Sequence, residues 1–196
     1  MTANIGLAIL AAGLSRRFGP DDKLMAPLAE RPLCDHIAQT AATFAANLKF
    51  AICGPNSGAA AIFAARGLQV IDNRHPDEGL SGSVKLAVRH AVNAGLDGLV
   101  ICLADMPFVP LVHLERLCGR WLDAGCPPVM ASRASGLEGW ITPPAVFSAA
   151  VFPELLMMSG DTGARALLVD AETVEAAPES LADFDTMDDF RRAGTN

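Results

Sequence analysis

Residues 7–23, LAILAAGLSRRFGPDDK, join an apolar run to a small, glycine-bearing loop that is followed at short range by cations. The run from Ile5 to Leu10 predicts a buried β-strand. The loop then begins with three small residues, Ala11, Ala12 and Gly13, which allow backbone N–H groups to approach an anion closely. This stretch therefore predicts a strand that leads into a phosphate-binding loop.

Two cations in the stretch suit a polyphosphate, because Arg17 offers a planar fork of donors and Lys23 a compact point charge. Ser15 can donate a hydrogen bond to a phosphate oxygen or cap the turn. The loop does not match GxxxxGK[ST], and the GxGxxG dinucleotide fingerprint is absent from the sequence. The implied ligand is a nucleoside triphosphate; ordinary turn glycines beside solvated surface cations are the alternative.

The composition is that of a compact enzyme rather than a nucleic-acid binder. A chain of 196 residues with 51% hydrophobic and 19% charged residues can bury a sizeable core, and it predicts one domain over residues 1–196. The net charge of −7 argues against a general nucleic-acid binder, which needs clustered Lys and Arg. Five scattered cysteines favour a reducing cytoplasm. Neither a secretory signal nor a membrane span is expected.

Strands and helices are predicted to alternate along the chain. The predicted strands are Ile5–Leu10, Phe50–Cys53, Gln69–Ile71, Gly98–Leu103, Pro128–Ala131 and Thr173–Glu175. The predicted helices lie near Leu33–Asn47, Ser57–Ala65, Ser81–Ala94, Val112–Ala124 and Ala145–Leu156. The alternation predicts an α/β fold of three layers, a Rossmann-like, mostly parallel sheet with helices on both faces. Loops after the parallel strands then share one edge, where ligands bind, while Pro127-Pro128 and Pro143-Pro144 are expected to be turns.

Five ordered motifs resemble the signatures of the MobA-like nucleotidyltransferases, whose members attach CMP or GMP to the molybdenum cofactor. The motifs are LAAGLSRRFG with Lys23, Gly79 to Ser83, Leu103 to Pro107, Ser159 to Arg165, and Phe184 to Thr186. The resemblance covers nearly the whole chain and is strongest toward the cytidylyltransferase branch. It implies a nucleotide-diphospho-sugar transferase-like fold. The nucleotide site that it implies contains Leu10, Ala11, Ala12, Gly13, Ser15, Arg17, Lys23, Gly79, Ser81, Ser83 and Asp105.

Asp105 follows the apolar strand VICLA, and the resemblance assigns it to Mg²⁺, with waters and triphosphate oxygens completing the coordination. A turn aspartate before Pro107 is the alternative. The second metal ligand implied by the resemblance is Asp185, and Asp183 is the next choice. Either could instead cap a helix that begins near Met187.

Two further polar segments carry candidate binding residues. Ser81 or Ser83 is expected to cap a helix, and the resemblance adds recognition of the base and ribose by this segment. By resemblance, Asp161, Gly163 and Arg165 lie near the pterin substrate. The alternative is that Asp161 or Thr162 caps a helix and Arg165 is exposed. The four histidines are dispersed and are assigned no role.

The resemblance implies that a phosphate oxygen of the acceptor attacks the α-phosphorus of a nucleoside triphosphate and releases pyrophosphate. The residues assigned to catalysis are Arg17, Lys23 and Asp105, together with Mg²⁺. CTP is favoured over GTP as the donor, and molybdopterin is the favoured acceptor. The alternatives are a guanylyltransferase for the same cofactor, a sugar-phosphate nucleotidyltransferase, and a non-catalytic module that delivers the cofactor. Transient contact with a molybdoenzyme or its chaperone is also expected.

Overall fold

A computed structural model describes residues 3–13, 18, 22–136, 140–158 and 167–193. Its strands are β1 (Ile5–Ala11), β2 (Pro27–Leu28), β3 (Arg31–Pro32), β4 (Leu48–Cys53), β5 (Gln69–Asp72), β6 (Gly98–Leu103), β7 (Val129–Ala134), β8 (Ile141–Ser148) and β9 (Glu172–Ala176). Its helices are α1 (Leu33–Thr43), α2 (Gly58–Ala65), α3 (Gly79–Asn93), α4 (Leu111–Asp123), α5 (Phe152–Met157) and α6 (Met187–Ala193). Short 3-10 turns lie at Lys23–Met25, Pro76–Glu78, Ala149–Val151 and Pro178–Leu181.

Seven of the strands form one sheet in the order β5-β4-β1-β6-β8-β7-β9, while β2 pairs only with β3. Within the large sheet, β8 runs antiparallel to its neighbours β6 and β7, and the other neighbouring strands are parallel. The prediction of a mostly parallel sheet is therefore confirmed.

The residues of β1 show why helices cover both faces of the sheet. Leu7 and Ile9 pack into a core with α1, α2 and α4, whereas Ala8 and Leu10 pack into a second core with α3 and α5. Successive side chains of a strand point to opposite faces, so a strand covered on both sides needs a continuous apolar run. The three-layer arrangement predicted from the sequence is confirmed. Within the described ranges, no helix is long and apolar enough to cross a membrane.

The predicted helix Ala145–Leu156 is wrong in its first part. Residues 145–148 belong to β8, which pairs with β6 and β7 on its two sides, whereas Ala149–Val151 is a 3-10 turn and Phe152–Met157 is α-helical. A short apolar run that is buried on both faces has no periodicity that separates a strand from a helix. Pro143 and Pro144, which were expected to form a turn, lie inside β8, where the register against β7 shifts between Ala131 and Ser132.

Candidate active site

The carboxyl ends of β1 and β6 meet at the centre of the sheet. Leu10 pairs with Leu103, and the backbone N–H of Ala104 donates to the carbonyl of Leu10 over 3.0 Å. The loop that follows β1 and the residue Asp105 that follows β6 therefore lie at the same edge, which is where ligands bind in open α/β sheets.

Lys23 joins this edge to the C-terminal part of the chain. Its Nζ donates to Oδ2 of Asp105 over 2.7 Å and to Oδ1 of Asp185 over 2.9 Å. The Lys23 side chain is only 7% exposed, and burial by itself lowers its pKa. The charges and hydrogen bonds of Asp105 and Asp185 outweigh that cost, so the pKa of Lys23 lies above its ordinary value and the side chain remains an ammonium.

Asp105 has one oxygen left for a ligand. Its Oδ1 is buried and has no hydrogen-bond partner within the described part of the chain, while its Oδ2 is bonded to Lys23. A buried carboxylate oxygen without a donor is costly unless a cation or another donor reaches it. Carboxylate oxygens are the ligands that Mg²⁺ prefers, so Asp105 and Asp185 fit a divalent cation.

The described residues do not form a complete metal site by themselves. No group of three or more His, Cys, Asp or Glu side chains within the described ranges is arranged to hold a metal ion. Asp183, the other predicted candidate, has an exposed side chain and forms no hydrogen bond or ion pair with Lys23 in the described part of the chain. Desolvation of its carboxyl group and the charges of Asp105 and Asp185 raise its pKa. Lys23 thus pairs Asp105 with Asp185 rather than with Asp183.

A buried aromatic side chain precedes Asp185 in the chain. Phe184 is 3% exposed, and its ring makes edge contacts with Phe108 at 5.5 Å and with Phe190 at 5.2 Å. The N–H of Phe184 also donates to the carbonyl of Asp105 over 3.0 Å. The helix predicted near Met187 is present as α6, and Asp189 rather than Asp185 accepts hydrogen bonds from the N–H groups that precede it.

Gly13 is exposed, and a Cβ atom built on it would lie more than 4 Å from every described residue other than its chain neighbours. The described part of the chain therefore leaves room for a ligand at this glycine. Ala11 and Ala12 are buried, so their contribution to an anion site would come from the backbone. Ser15, Arg17, Asp161, Gly163 and Arg165 lie outside the described residues, and the roles assigned to them stay predictions.

The segment from Gly79 to Ser83 forms the start of α3 rather than a free loop. Gly79 has φ +72° and ψ −160°, a conformation that only glycine adopts readily. The hydroxyl of Ser81 donates to the carbonyl of Glu78 over 3.2 Å, and the hydroxyl oxygen of Ser83 accepts from Asn73 over 3.1 Å. Both serines are buried inside the helix, so the expectation that one of them is its N-cap is wrong.

Sequence reasoning missed Asn73, which links three segments beside this helix. It is 2% exposed; its amide donates to Ser83, its side-chain oxygen accepts from the N–H of His75, and its backbone N–H donates to Cys53. An asparagine directly after a predicted strand is the signal that could have drawn attention to it.

Residues 7–176 match the family model described as MobA-like NTP transferase domain. The chain belongs to this family. The match begins in β1 and ends with β9, so this MobA-like domain includes every strand of the large sheet. The nucleotide-diphospho-sugar transferase fold expected from the sequence is confirmed by similarity to solved structures.

Individual relatives of this MobA-like chain agree with the family match. The chain is 36% identical over 114 residues to the purine catabolism protein PucB of Bacillus subtilis (strain 168), which covers 58% of this chain and 52% of that protein. It is 39% identical over 114 residues to a molybdenum cofactor guanylyltransferase of Cereibacter sphaeroides, with 58% and 55% covered. The matches thus span about half the length of these curated relatives. The crystal structure of Rv0371c from Mycobacterium tuberculosis H37Rv has a TM-score of 0.80 and 27% identity over 100% of both chains.

Proposed function

We propose that the protein transfers GMP from GTP to the phosphate of molybdopterin and releases pyrophosphate. The observation that carries the proposal is the contact of Lys23 with Asp105 and Asp185 at the carboxyl edge of the sheet, where β1 ends at the small residues Ala11 to Gly13. A cation and two carboxylates at this edge suit the transfer of a phosphorus centre between two phosphorylated substrates.

In this reaction an oxygen of the acceptor phosphate forms a bond to the α-phosphorus of GTP. The bond between that phosphorus and the bridging oxygen breaks in line, and pyrophosphate leaves with the electron pair. The chain's contribution is to orient the two substrates and to stabilise negative charge, so no protein nucleophile is required. Lys23 supplies a fixed positive charge at this edge, and the amides around Gly13 supply backbone donors.

Asp105 and Asp185 are the residues that would hold Mg²⁺, with Oδ1 of Asp105 as the clearest free ligand atom. When bound, the ion would neutralise charge on the triphosphate oxygens. Asp105 would fix the position of the ion at the end of β6, and Lys23 would then be available to the phosphates. Arg17 is proposed to donate to the same phosphates.

GTP replaces the CTP expected from the sequence for two reasons. A relative at 39% identity is named molybdenum cofactor guanylyltransferase. In addition, the expectation of CTP came from the resemblance to the cytidylyltransferase branch, and the hydroxyls of Ser81 and Ser83, in the segment assigned to base recognition, are both engaged inside the protein. The side chains of these serines therefore supply no reason to prefer CTP.

A pyrophosphate-release assay tests the proposal. The purified protein is given Mg²⁺, molybdopterin and each of the four nucleoside triphosphates, with common sugar phosphates as parallel acceptors. We expect release with GTP and molybdopterin, at least about tenfold above CTP in kcat/KM. A preference for CTP would overturn the donor assignment, a preference for a sugar phosphate would overturn the acceptor, and no release with any pair would favour a non-catalytic delivery module.

A further inference from the structure

The buried histidine of α4 belongs to a chain of hydrogen bonds that the proposed reaction does not use. Nε2 of His113 lies 2.7 Å from the hydroxyl of Ser132 in β7, and that hydroxyl lies 2.6 Å from the carbonyl oxygen of Pro144 in β8. His113 is 2% exposed and Ser132 is fully buried. At the other side of the ring, Arg116 lies 3.4 Å from Nδ1 and also donates to the carbonyl of Glu175.

The chemistry of the partners fixes the direction of every hydrogen bond. The carbonyl of Pro144 can only accept, so it takes the single proton of the Ser132 hydroxyl. That hydroxyl must therefore accept from His113, which places the imidazole proton on Nε2. Nδ1 is left as an acceptor for Arg116, which can only donate. Burial, assisted by the charge of Arg116, lowers the pKa of His113 to about 4, so the ring is neutral at physiological pH.

The hydrogen bonds from His113 through Ser132 end at the carbonyl of Pro144, where the pairing of β8 with β7 is irregular. Ala131 pairs with Ala145 but Ser132 pairs with Thr142, so Pro143 and Pro144 are extra residues in β8. Neither proline has an N–H, and the ladder to β7 is interrupted there. The hydroxyl of Ser132 satisfies the buried carbonyl that this interruption would otherwise leave without a partner.

The interrupted part of β8 lies at the same edge as Asp105. Ile101 of β6 pairs with Ala145, so residues 141–144 of β8 run alongside the carboxyl end of β6. The phosphate loop follows β1 and α3 follows β5, and both strands lie on the other side of β6. If the nucleotide binds on the β1 side of Asp105, the second substrate must bind on the β8 side. Ile141 and Thr142 are partly exposed there.

We infer that His113 and Ser132 are positioning residues for the acceptor, because they hold residues 141–144 of β8 as the acceptor-facing wall of the site. The inference rests on the proposed function for its substrate, but the hydrogen-bond chain can be measured independently of activity. Neither residue touches the reacting atoms, and both act through the carbonyl of Pro144.

The same sheet offers a matched control. Ser148 is another buried serine, but it lies in β8, where it pairs with Gly98 at the opposite end of β6, and its hydroxyl accepts from the N–H of Ala150. Ser132→Ala and Ser148→Ala therefore both remove a buried hydroxyl from the sheet, the first near the carboxyl end of β6 and the second near its amino end. For the histidine, His113→Leu removes the donor, and His113→Gln keeps an amide N–H near the position of Nε2.

We expect Ser132→Ala to raise the KM for molybdopterin by about tenfold while the KM for GTP stays within about twofold, because small displacements of a binding wall are costly. His113→Leu should behave alike, His113→Gln should recover part of the loss, and Ser148→Ala should change neither constant. Equal effects of Ser132→Ala and Ser148→Ala on the acceptor KM would overturn the inference.

Two measurements keep the inference separate from the proposed function. Nitrogen-15 NMR of the wild-type protein should show His113 as the neutral Nε2–H tautomer at pH 6, and amide exchange at residues 141 and 142 should speed up in Ser132→Ala but not in Ser148→Ala. The Nδ1–H tautomer, a protonated ring or unchanged exchange would overturn the positioning role. A wild-type protein that releases no pyrophosphate would instead overturn the proposed function, and the exchange data would still decide the positioning role.

Discussion

Lys23 is the residue whose surroundings say most about the site. Its ammonium lies between two carboxylates that come from positions 105 and 185, and neither bond exceeds 2.9 Å. A metal ion between the same carboxylates would have to compete with this ammonium, because both are attracted by the same charges. Binding of a metal ion should therefore be weak until a triphosphate offers Lys23 other partners.

Lys23→Met tests this competition. Loss of the ammonium removes a positive charge that competes with a metal ion for Asp105 and Asp185, so we expect the nucleotide-free variant to bind Mn²⁺ at least about tenfold more tightly than the wild type, which corresponds to about 1.4 kcal/mol. Nucleotidyl transfer should be lost in the same variant. Titration of Mn²⁺ followed by electron paramagnetic resonance measures the affinity.

The control for this experiment is Lys49→Met, because Lys49 donates to the carbonyl of Ala42 near the opposite edge of the sheet. It should bind Mn²⁺ like the wild type. Equal Mn²⁺ affinity in Lys23→Met and the wild type would show that the ammonium does not compete with the ion.

Asp183 and Asp185 are expected to differ in their effects on stability and on activity. Partial burial and its charged neighbours raise the pKa of Asp183, so its proton is bound more tightly in the folded than in the unfolded chain. Its contribution to stability is present below the unfolded pKa of about 3.9 and is lost as the pH rises through the raised folded value. Asp183→Asn should therefore raise Tm at pH 7 but not at pH 3, and it should keep most of the activity.

Asp185→Asn should lower Tm at pH 7 and remove most of the activity, because it weakens the bond to Lys23 and removes a proposed metal ligand. We expect transfer to fall by at least about a hundredfold, as is typical when a group that stabilises transition-state charge is removed. Thermal unfolding across pH and steady-state kinetics on both variants check the pair. Greater loss of activity in Asp183→Asn would make Asp183 the second ligand.

At the scale of single elements, glycines shape both ends of the proposed donor site. At Gly13 the described residues leave room for a Cβ atom, while the start of α3 uses the unusual backbone conformation of Gly79. Gly13 is expected to affect ligand binding, whereas Gly79 is expected to affect the backbone conformation at the start of α3.

Gly13→Val is expected to fold normally, because its side chain would meet no atom of the described structure within 4 Å of its Cβ. The same side chain would block the approach of a phosphate to the backbone. Calorimetry with GTP and Mg²⁺ should show weaker binding at an unchanged Tm. Normal GTP affinity in a folded variant would contradict a phosphate-binding role for this loop.

Gly79→Ala places a Cβ on a backbone that disfavours it, with a cost of about 1–3 kcal/mol in the free energy of unfolding. Gly119→Ala is the matched control. Gly119 lies within α4, a Cβ there would meet no described residue outside its own helix within 4 Å, and alanine is more favourable than glycine in a helix by about 1 kcal/mol. The midpoint of urea unfolding should therefore fall in Gly79→Ala and rise in Gly119→Ala. A stabilised Gly79→Ala would show that the start of α3 tolerates another conformation.

For the molecule as a whole, the site depends on a C-terminal segment that comes from the far end of the sheet. The chain leaves β9 at the sheet edge and returns to the centre, where Phe184 packs between Phe108 and Phe190 and Asp185 reaches Lys23. The aromatic contacts continue from Phe190 to Phe18, at a ring distance of 5.4 Å.

Phe184→Ala should both lower the stability of the fold and loosen the C-terminal segment that carries Asp185. Removing a buried phenylalanine costs about 3–5 kcal/mol in the free energy of unfolding. If the ring holds Asp185 in place, the folded variant should also need more Mg²⁺ for half-maximal transfer. Chemical denaturation and a Mg²⁺ titration measure the two effects, and an unchanged Mg²⁺ requirement would show that Asp185 is held by other contacts.

Local sequence determined the elements whose patterns have a single physical interpretation. The continuous apolar run of β1, the small residues after it and the carboxylate after β6 predicted a two-sided sheet with a polar site at its carboxyl edge, and the structure has that sheet with Lys23 bonded to Asp105 there. Each of these features depends on residues close together in the chain, so periodicity and residue type sufficed to predict them.

Tertiary structure decided what depends on residues far apart in the chain. Only the folded chain shows that β8 is a strand between β6 and β7, because an apolar run of that length forms either structure until its neighbours supply the hydrogen bonds. It also selects Asp185 for Lys23, buries the hydroxyls of Ser81 and Ser83, and joins His113 to β8 through Ser132. No local pattern encodes such contacts, since each is made by a side chain whose partner is chosen by packing.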